Sequence, residues 1–207
     1  MVKRIIAIVF IFVCTSVAWA ILGGTIFTRT YSTEDVLQNR VASTWGAPQN
    51  QTPPGASFKT IVNKPQETLE NGKKIIKMVQ EEYVTELPLE SSSIDVNLEL
   101  EHRQKGLLWY STYKVAFAAE YGFRNPSDKE QTVNFTLKFP TSQAIYDNLT
   151  FMVDGSVVPI SNQDNVASSA VKIPPGRTAL LKVGYNSQGL NEWRYSFGGN
   201  NIAQVRD

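Results

Sequence analysis

The chain divides near residue 28 into an apolar N-terminal run and a long region in which apolar and polar residues alternate. The run from Ile5 to Phe27 has 23 residues and carries no charge. As an α-helix rising about 1.5 Å per residue it would be roughly 34 Å long, which is enough to cross the hydrocarbon core of a bilayer. The pattern therefore predicts a transmembrane anchor over residues 1–28.

The residues that flank this run predict its orientation. Lys3 and Arg4 precede it, and Arg29 follows it. Because basic residues concentrate on the cytoplasmic side of a membrane, we expect the N-terminus inside the cell and the rest of the chain outside. A cleaved secretory signal is the alternative, since residues 18–20 (Ala-Trp-Ala) have the small-x-small form of a cleavage site. The apolar run continues past that site, which favours an uncleaved anchor.

Residues 29–57 are expected to connect the anchor to a folded domain. Ser32 or Thr33 is suited to cap a short helix that ends near Trp45. Residues 46–57 then contain three prolines, two glycines and no charge, a composition typical of a semi-rigid, extended linker. Such a linker would hold the following domain away from the membrane.

The next region, residues 58–89, allows two interpretations. Asn71-Gly72 lies between two mixed runs and is the signal for a two-residue hairpin turn. Ile75, Val79 and Tyr83 are spaced by four, however, and would share one face of a helix. The hairpin is favoured, and strand or helix for residues 73–84 stays open.

From Ser93 onward the period of apolar residues is two, as expected for half-buried strands. Turn-forming residues separate these strands at 102–106, 125–128, 154–155 and 174–176. The alternating sets expected to face inward run from Ile94 to Leu100, from Trp109 to Ala119, from Val133 to Phe139 and from Ala179 to Tyr185, with a further strand starting at Trp193. The pattern predicts a mainly β domain over residues 58–207, an antiparallel immunoglobulin-like β-sandwich.

Several of these turns and strand starts also carry a resemblance. The segments concerned are Lys105 to Tyr113 (KGLLWYSTY), Phe123 to Pro126 (FRNP), Phe139-Pro140, Asp154-Gly155, Pro174 to Arg177 (PPGR) and Val183 to Tyr185 (VGY). Together they resemble the extracytoplasmic β-region of bacterial inner-membrane proteins of the CreD type. The order of turn residues is also similar to that of vault and inter-α-trypsin-type β-sandwich domains.

The CreD resemblance implies a place in the cell envelope rather than a reaction. It implies an inner-membrane protein whose domain lies in the periplasm or outside the cell. Proteins of the CreD type continue into further membrane helices, so a short relative and a fragment of a longer protein both stay open.

Composition and residue usage argue against several function classes. Residues 29–207 hold 18 basic and 19 acidic residues, so no basic excess points to nucleic acid. His102 is the only histidine, and Cys14, the only cysteine, lies in the apolar run. Neither a multi-histidine metal site nor a structural zinc site fits this usage. No nucleophile elbow, Walker motif or dinucleotide fingerprint occurs, so we expect no catalytic residue, metal or cofactor.

The hairpin near residue 105 is the candidate interaction site. His102, Arg103 and Lys105 lie at its tip, and Tyr110 falls on the face opposite Trp109, which is expected in the core. An exposed tyrosine beside basic residues is favoured at protein interfaces and at lipid head groups.

The leading interpretation is a membrane-anchored extracytoplasmic β-domain that is not an enzyme and binds an envelope protein or forms a homo-oligomer. An exported carbohydrate- or lipid-binding module is one alternative, for which a groove holding Trp45, Trp193 or Tyr195 would be diagnostic. An enzyme with an unrecognised pair of carboxylates is the other.

Overall fold

A computed structural model describes residues 2–70, 73–105 and 108–197 of the chain. It begins with one continuous helix, α1 (Val2–Trp45). Within α1, Val2–Arg29 is long and apolar enough to cross a membrane, with a mean hydropathy of 2.8. The separate short helix capped by Ser32 or Thr33 is wrong, because no glycine or proline between residues 25 and 45 ends the first helix.

Strands make up most of the rest of the described chain. They are β1 (Gln49–Gln51), β2 (Gly55–Glu70), β3 (Lys73–Glu86), β4 (Leu89–Lys105), β5 (Leu108–Arg124), β6 (Gln131–Lys138), β7 (Tyr146–Val153), β8 (Ser156–Val157), β9 (Ser161–Gln163), β10 (Val166–Ile173), β11 (Thr178–Leu190) and β12 (Trp193–Tyr195).

The strands form two antiparallel sheets and a small parallel ribbon. Sheet I has the order β3-β2-β6-β10-β9, sheet II has the order β4-β5-β11-β7-β8, and β1 pairs with β12. The chain passes back and forth between the two sheets, which bury one apolar core. The prediction of a mainly β, antiparallel domain behind one apolar helix is confirmed.

The core lies between the facing sides of sheets I and II. As predicted, the alternating sets of β6 and β11 face inward, and each of their apolar members is at most 4% exposed. Phe123 of β5 meets Phe135 of β6 edge to face, with ring centroids 5.8 Å apart. Phe123 belongs to sheet II and Phe135 to sheet I, so this ring contact joins the two sheets.

The prediction that the alternating apolar residues of β4, from Ile94 to Leu100, face inward is only half right. Ile94 and Val96 pack against the core, whereas Leu98 and Leu100 are exposed. Leu100 lies opposite Tyr113 of β5, whose hydroxyl donates to the carbonyl of Glu192 at 2.6 Å. The segment leading into β12 thus covers β5 at this level but does not reach the edge strand β4, so the leucines stay in solvent.

The proline-rich segment is part of the domain and not a free spacer. The side chains of Gln49 and Gln51 are buried, and β1 pairs with β12. Gln49 Nε2 donates to Ser187 Oγ at 3.0 Å, and the hydroxyl of Tyr185 donates to Gln51 Oε1 at 2.8 Å. The expected linker is wrong because these amides and the paired backbone tie residues 49–51 to sheet II.

The hairpin interpretation of residues 58–86 is confirmed. β2 and β3 pair antiparallel from Ser57 opposite Glu86 to Glu70 opposite Lys73, so residues 73–84 form a strand and not a helix. The predicted turn Asn71-Gly72 lies outside the described residues.

The connection predicted at residues 102–106 is wrong. β4 runs on through His102 to Lys105, because each of these residues pairs with β5. Gly106 and Leu107 lie outside the described residues.

The turn at Asn125 and the tight turn at Asp154-Gly155 fall where they were predicted. Both Asp154 and Gly155 have positive φ, as a two-residue hairpin turn requires.

Candidate interaction surfaces

The end of α1 packs on the outer face of sheet II, beside the β4–β5 tip. Ala42 and Trp45 contact a small apolar cluster formed by Tyr110 and Leu190. The guanidinium of Arg103 lies over the indole ring of Trp45, 4.1 Å from its centroid. A planar cation stacked on an indole is favourable, so this junction fixes the anchor helix to the domain.

An ion-pair network supports the junction from β4 and β5. Arg103 donates to one carboxylate oxygen of Glu101, and Lys114 Nζ lies 2.6 Å from the other. Hydrogen bonds from Lys114 and then Arg103 hold the pKa of Glu101 below its usual value, and Glu101 in turn raises the pKa of Lys114. Arg103 is thereby held between a carboxylate and an aromatic face.

The exposures of Tyr110 and Trp109, beside the β4–β5 tip, are the reverse of those predicted. Tyr110, expected to be exposed, is 8% exposed, whereas Trp109, expected in the core, is 66% exposed. The reason is that α1 covers the outer face of the sheet here, where Tyr110 points, and nothing described covers the other face. His102 is exposed, and of the Lys105 side chain nothing is described. Arg103 and Tyr110 are therefore engaged within the chain.

A second surface is the projecting end of the β2–β3 hairpin, called the arm below and defined as residues 59–70 and 73–84. Only Gly55–Phe58 of β2 pair with β6, so β2 leaves sheet I after Phe58. The arm continues as a two-stranded ribbon, and none of the side chains described along it, at residues 59–67 and 76–84, is buried. Phe58 lies opposite Val133, near the start of β6, so the arm leaves the sandwich at the end remote from the α1 junction.

The two faces of the arm differ. On the outer face four large apolar side chains are between 60% and 67% exposed: Ile61, Ile76, Met78 and Val84. On the inner face Lys64 lies 2.7 Å from Glu81 and 4.6 Å from the ring centroid of Tyr83. The inner face combines these polar contacts with Val62 and Val79, which are 39% and 42% exposed, while the apolar groups of the outer face are more exposed.

The hairpin predicted around Asn71-Gly72 does not by itself indicate an exposed arm. The sequence nonetheless carries a signal. In β2 and β3 apolar residues occur at consecutive positions, such as Ile61 and Val62, so that both faces of the strand carry them instead of one. Apolar residues at both parities indicate a strand with a partner on each face.

The aromatic residues proposed as diagnostic of a sugar site do not form an open platform. Trp193 and Tyr195 pack against the core, and both rings lie within 6.3 Å of Phe117. Trp45 is stacked under Arg103. A shallow groove of about 280 Å³ on the outer face of sheet II is lined by none of these three.

Among the described residues, no three His, Cys, Asp or Glu side chains are grouped so that they could hold a metal ion. Cys14 is a free thiol in the apolar part of α1.

Comparison with known proteins places the chain in a family. No curated protein and no solved structure matches it. The family described as "Inner membrane protein CreD" matches residues 1–179, which include the apolar helix and the strands through the start of β11. Since the match spans most of the chain, the protein belongs to the CreD inner membrane protein family.

Proposed function

We propose that this protein carries a membrane-anchored β-domain on the extracytoplasmic side of the inner membrane and that this domain binds another protein of the cell envelope. The observation that carries the proposal is the arm. It exposes an apolar face at the end of the sandwich remote from the anchor junction. Contiguous exposed apolar groups of this kind are typical of protein contact sites.

The flanking charges of the apolar helix support the orientation. Lys3 and Arg4 lie before the span, and only Arg29 follows it closely. Basic residues on the first side favour a cytoplasmic N-terminus and an exported domain.

The residue inventory supports a role in binding rather than catalysis. His102 is exposed on β4, and Cys14 lies in the apolar segment of α1. The buried polar side chains Gln49, Gln51 and Asn125 are engaged in structural hydrogen bonds.

Two measurements on the full chain test the proposal. In a Cys14→Ser background, Ser196→Cys should react with a membrane-impermeant maleimide in intact spheroplasts. Protection until lysis would refute the orientation.

For binding, a photo-crosslinking residue at Met78 should give protein adducts in living cells. The matched control is the same residue at Val157, an exposed apolar position on β8, where adducts should be absent. Absence of protein adducts at Met78 would refute a binding role for the arm.

A further inference from the structure

β4 is the long free edge of sheet II, and its far side can take a further strand. We propose that this edge binds an extended segment of another protein, which adds to sheet II as a strand and carries apolar and basic residues at alternate positions. This contact goes beyond the proposed function, because it uses a surface separate from the arm.

The backbone of β4 is paired on one side only. Its residues from Ser91 to Lys105 pair with β5 without a break, and β4 lies at the end of the strand order of sheet II. No strand of the described chain pairs with its other side. An edge strand presents a row of backbone N–H and C=O groups in the geometry that another strand requires. The class of ligand that fits this edge is therefore an extended polypeptide.

The other free edges of the two sheets are either short or guarded by charge. β8 and β9 contain two and three residues. β3 is long, but it has Lys77 and Glu81 on one face and Glu82 on the other, and charges guard an edge against pairing. The inner face of β4 carries no charge between Ser92 and Leu100. Among the described strands, β4 is thus the long edge that has one unguarded face.

The inner face of β4 indicates that one set of the ligand's side chains is apolar. Ile94 and Val96 are half-buried in contact with the core. Leu98 and Leu100, further along the same face, are 49% and 63% exposed. Side chains that lie directly opposite each other on neighbouring strands are about 5 Å apart. A strand added to β4 would therefore cover the two leucines with its own inward residues, for which apolar side chains fit.

The outer face of β4 indicates that the alternate set is basic. Asp95, Glu99 and Glu101 lie on this face, and no basic residue lies among them. Lys114 of β5 is opposite Glu99, but its amine lies 2.6 Å from Glu101. Asp95 is opposite Ala118 and forms no ion pair with a described residue. Opposite charges on neighbouring strands are favourable, so lysine or arginine fits beside this row.

Binding of synthetic peptides to the full chain in uncharged lipid nanodiscs tests this assignment. The probe is a fluorescent peptide of about nine residues in which valine and lysine alternate, long enough to lie beside the row from Ser92 to Leu100. The control peptide has the same composition with its lysines in one block. The alternating peptide should bind about tenfold more tightly, since several cross-strand pairs each contribute. Equal binding of the two peptides would overturn the strand addition.

Charge reversal on β4 separates a specific contact from general attraction. In the double variant Asp95→Lys and Glu99→Lys the preference should reverse, so that a peptide of alternating valine and glutamate binds more tightly than the valine–lysine peptide. An unchanged preference would refute the basic set.

A charge on the inner face should remove binding altogether. Leu98→Lys introduces this charge, and natural edge strands use the same device against pairing. Val157→Lys is the matched control, because Val157 is exposed on β8 at the opposite edge of the same sheet, and it should leave binding unchanged. Binding of the valine–lysine peptide that survives Leu98→Lys would refute the β4 edge.

Hydrogen exchange locates the added strand and shows whether Leu98→Lys is folded. When the valine–lysine peptide binds, the amides between Ser92 and Leu100 that do not bond to β5 should gain protection, whereas those of β8 should not. Protection at another surface, with none in β4, would overturn the proposal. The outcome is independent of the arm: protein adducts at Met78 without peptide binding at β4 leave the proposed function standing and make the β4 contact wrong.

Discussion

The guanidinium of Arg103 and the indole of Trp45 form a stacked pair that joins the tip of the β4–β5 hairpin to the end of the anchor helix. Beside the pair, Tyr110 is buried against Leu190, and Glu101 forms an ion pair with the guanidinium. An exposed basic tip would tolerate substitution, whereas this arrangement makes Arg103 structural.

Arg103→Ser should therefore lower the free energy of unfolding by about 1–2 kcal/mol, because it removes a cation–π contact and uncovers apolar surface. Arg103→Lys should recover only part of that loss, since an ammonium lacks the planar face. Urea unfolding of the full chain in detergent measures both. Arg177→Ser is the control, because Arg177 is exposed and 3.7 Å from Asp154. Equal effects of Arg103→Ser and Arg177→Ser would contradict the junction.

Leu137 of β6 and Leu98 of β4 both occur in an alternating apolar pattern, but only Leu137 is buried. Leu137→Ala should cost roughly 2–5 kcal/mol, since it leaves a cavity at a fully buried position. Glu99→Ala should cost little, and Leu98→Ala should cost less than about 1 kcal/mol, because Leu98 is half exposed. Thermal melts of the three variants give the ranking. A loss for Leu98→Ala as large as that for Leu137→Ala would mean that β4 is covered.

The sequence therefore predicts strands and their inward parity, but not where a facing layer ends. Val133, Leu137 and Leu98 carry the same local pattern, yet only the first two have a sheet opposite them. Whether an apolar residue is buried depends on strand lengths in the other sheet, which no local period encodes.

The exposures predicted for Trp109 and Tyr110 are wrong for the same reason. Trp109 and Tyr110 lie on opposite faces of β5, as alternation predicts, but the pattern of β5 alone does not indicate which of its faces is covered at this point. The cover on Tyr110 comes from Trp45, 65 residues away in sequence, and depends on α1 continuing to that point. Gln49 and Gln51 show a similar limit, because their burial follows from pairing with β12.

Asn125 is expected to be the polar side chain most sensitive to substitution. It is fully buried, its amide donates to the carbonyls of Lys129, Ile173 and Pro174, and its carbonyl oxygen accepts from Ser127. Asn125→Ala should cost about 3 kcal/mol, since several buried carbonyls lose their donor. Asn125→Asp should not rescue the loss, because a carboxylate cannot donate. Chemical denaturation measures both, and rescue by Asp would argue against the donor role.

Alkaline pH should destabilise the domain. Burial raises the pKa of Tyr146 to about 12 and raises the pKa values of Tyr113, Tyr121 and Tyr185 further. A raised folded-state pKa favours the neutral phenol, so its contribution is complete below the unfolded pKa near 10 and is lost as pH rises through the folded value. Stability should therefore be flat from pH 7 to about 9.5 and should fall from about pH 10 upward.

Ultraviolet titration of the phenols, run beside unfolding curves, checks this pH dependence. The buried tyrosines should ionise only together with unfolding. Ionisation of all eight tyrosines near pH 10 in a domain that remains folded would contradict the burial of these rings.

Gly46 lies between the last turn of α1 and β1, where both its conformation and its surroundings exclude a side chain. Its φ is +95°, and a Cβ would lie 2.3 Å from the carbonyl oxygen of Gln188. Gly155 is the matched control, because its φ is +77° but nothing lies within 4 Å of the position of a Cβ. Gly155→Ala should cost only the backbone strain, about 1 kcal/mol.

Gly46→Ala should cost clearly more than Gly155→Ala, because the chain must move away from β11 to relieve the contact. That movement would separate Trp45 from Arg103. The amides near the junction should therefore lose their protection from hydrogen exchange before the domain unfolds. Hydrogen exchange of the β11 amides near Gln188, compared between the two variants, measures the separation. Equal exchange in both variants would mean that the helix end yields locally and that the junction does not depend on Gly46.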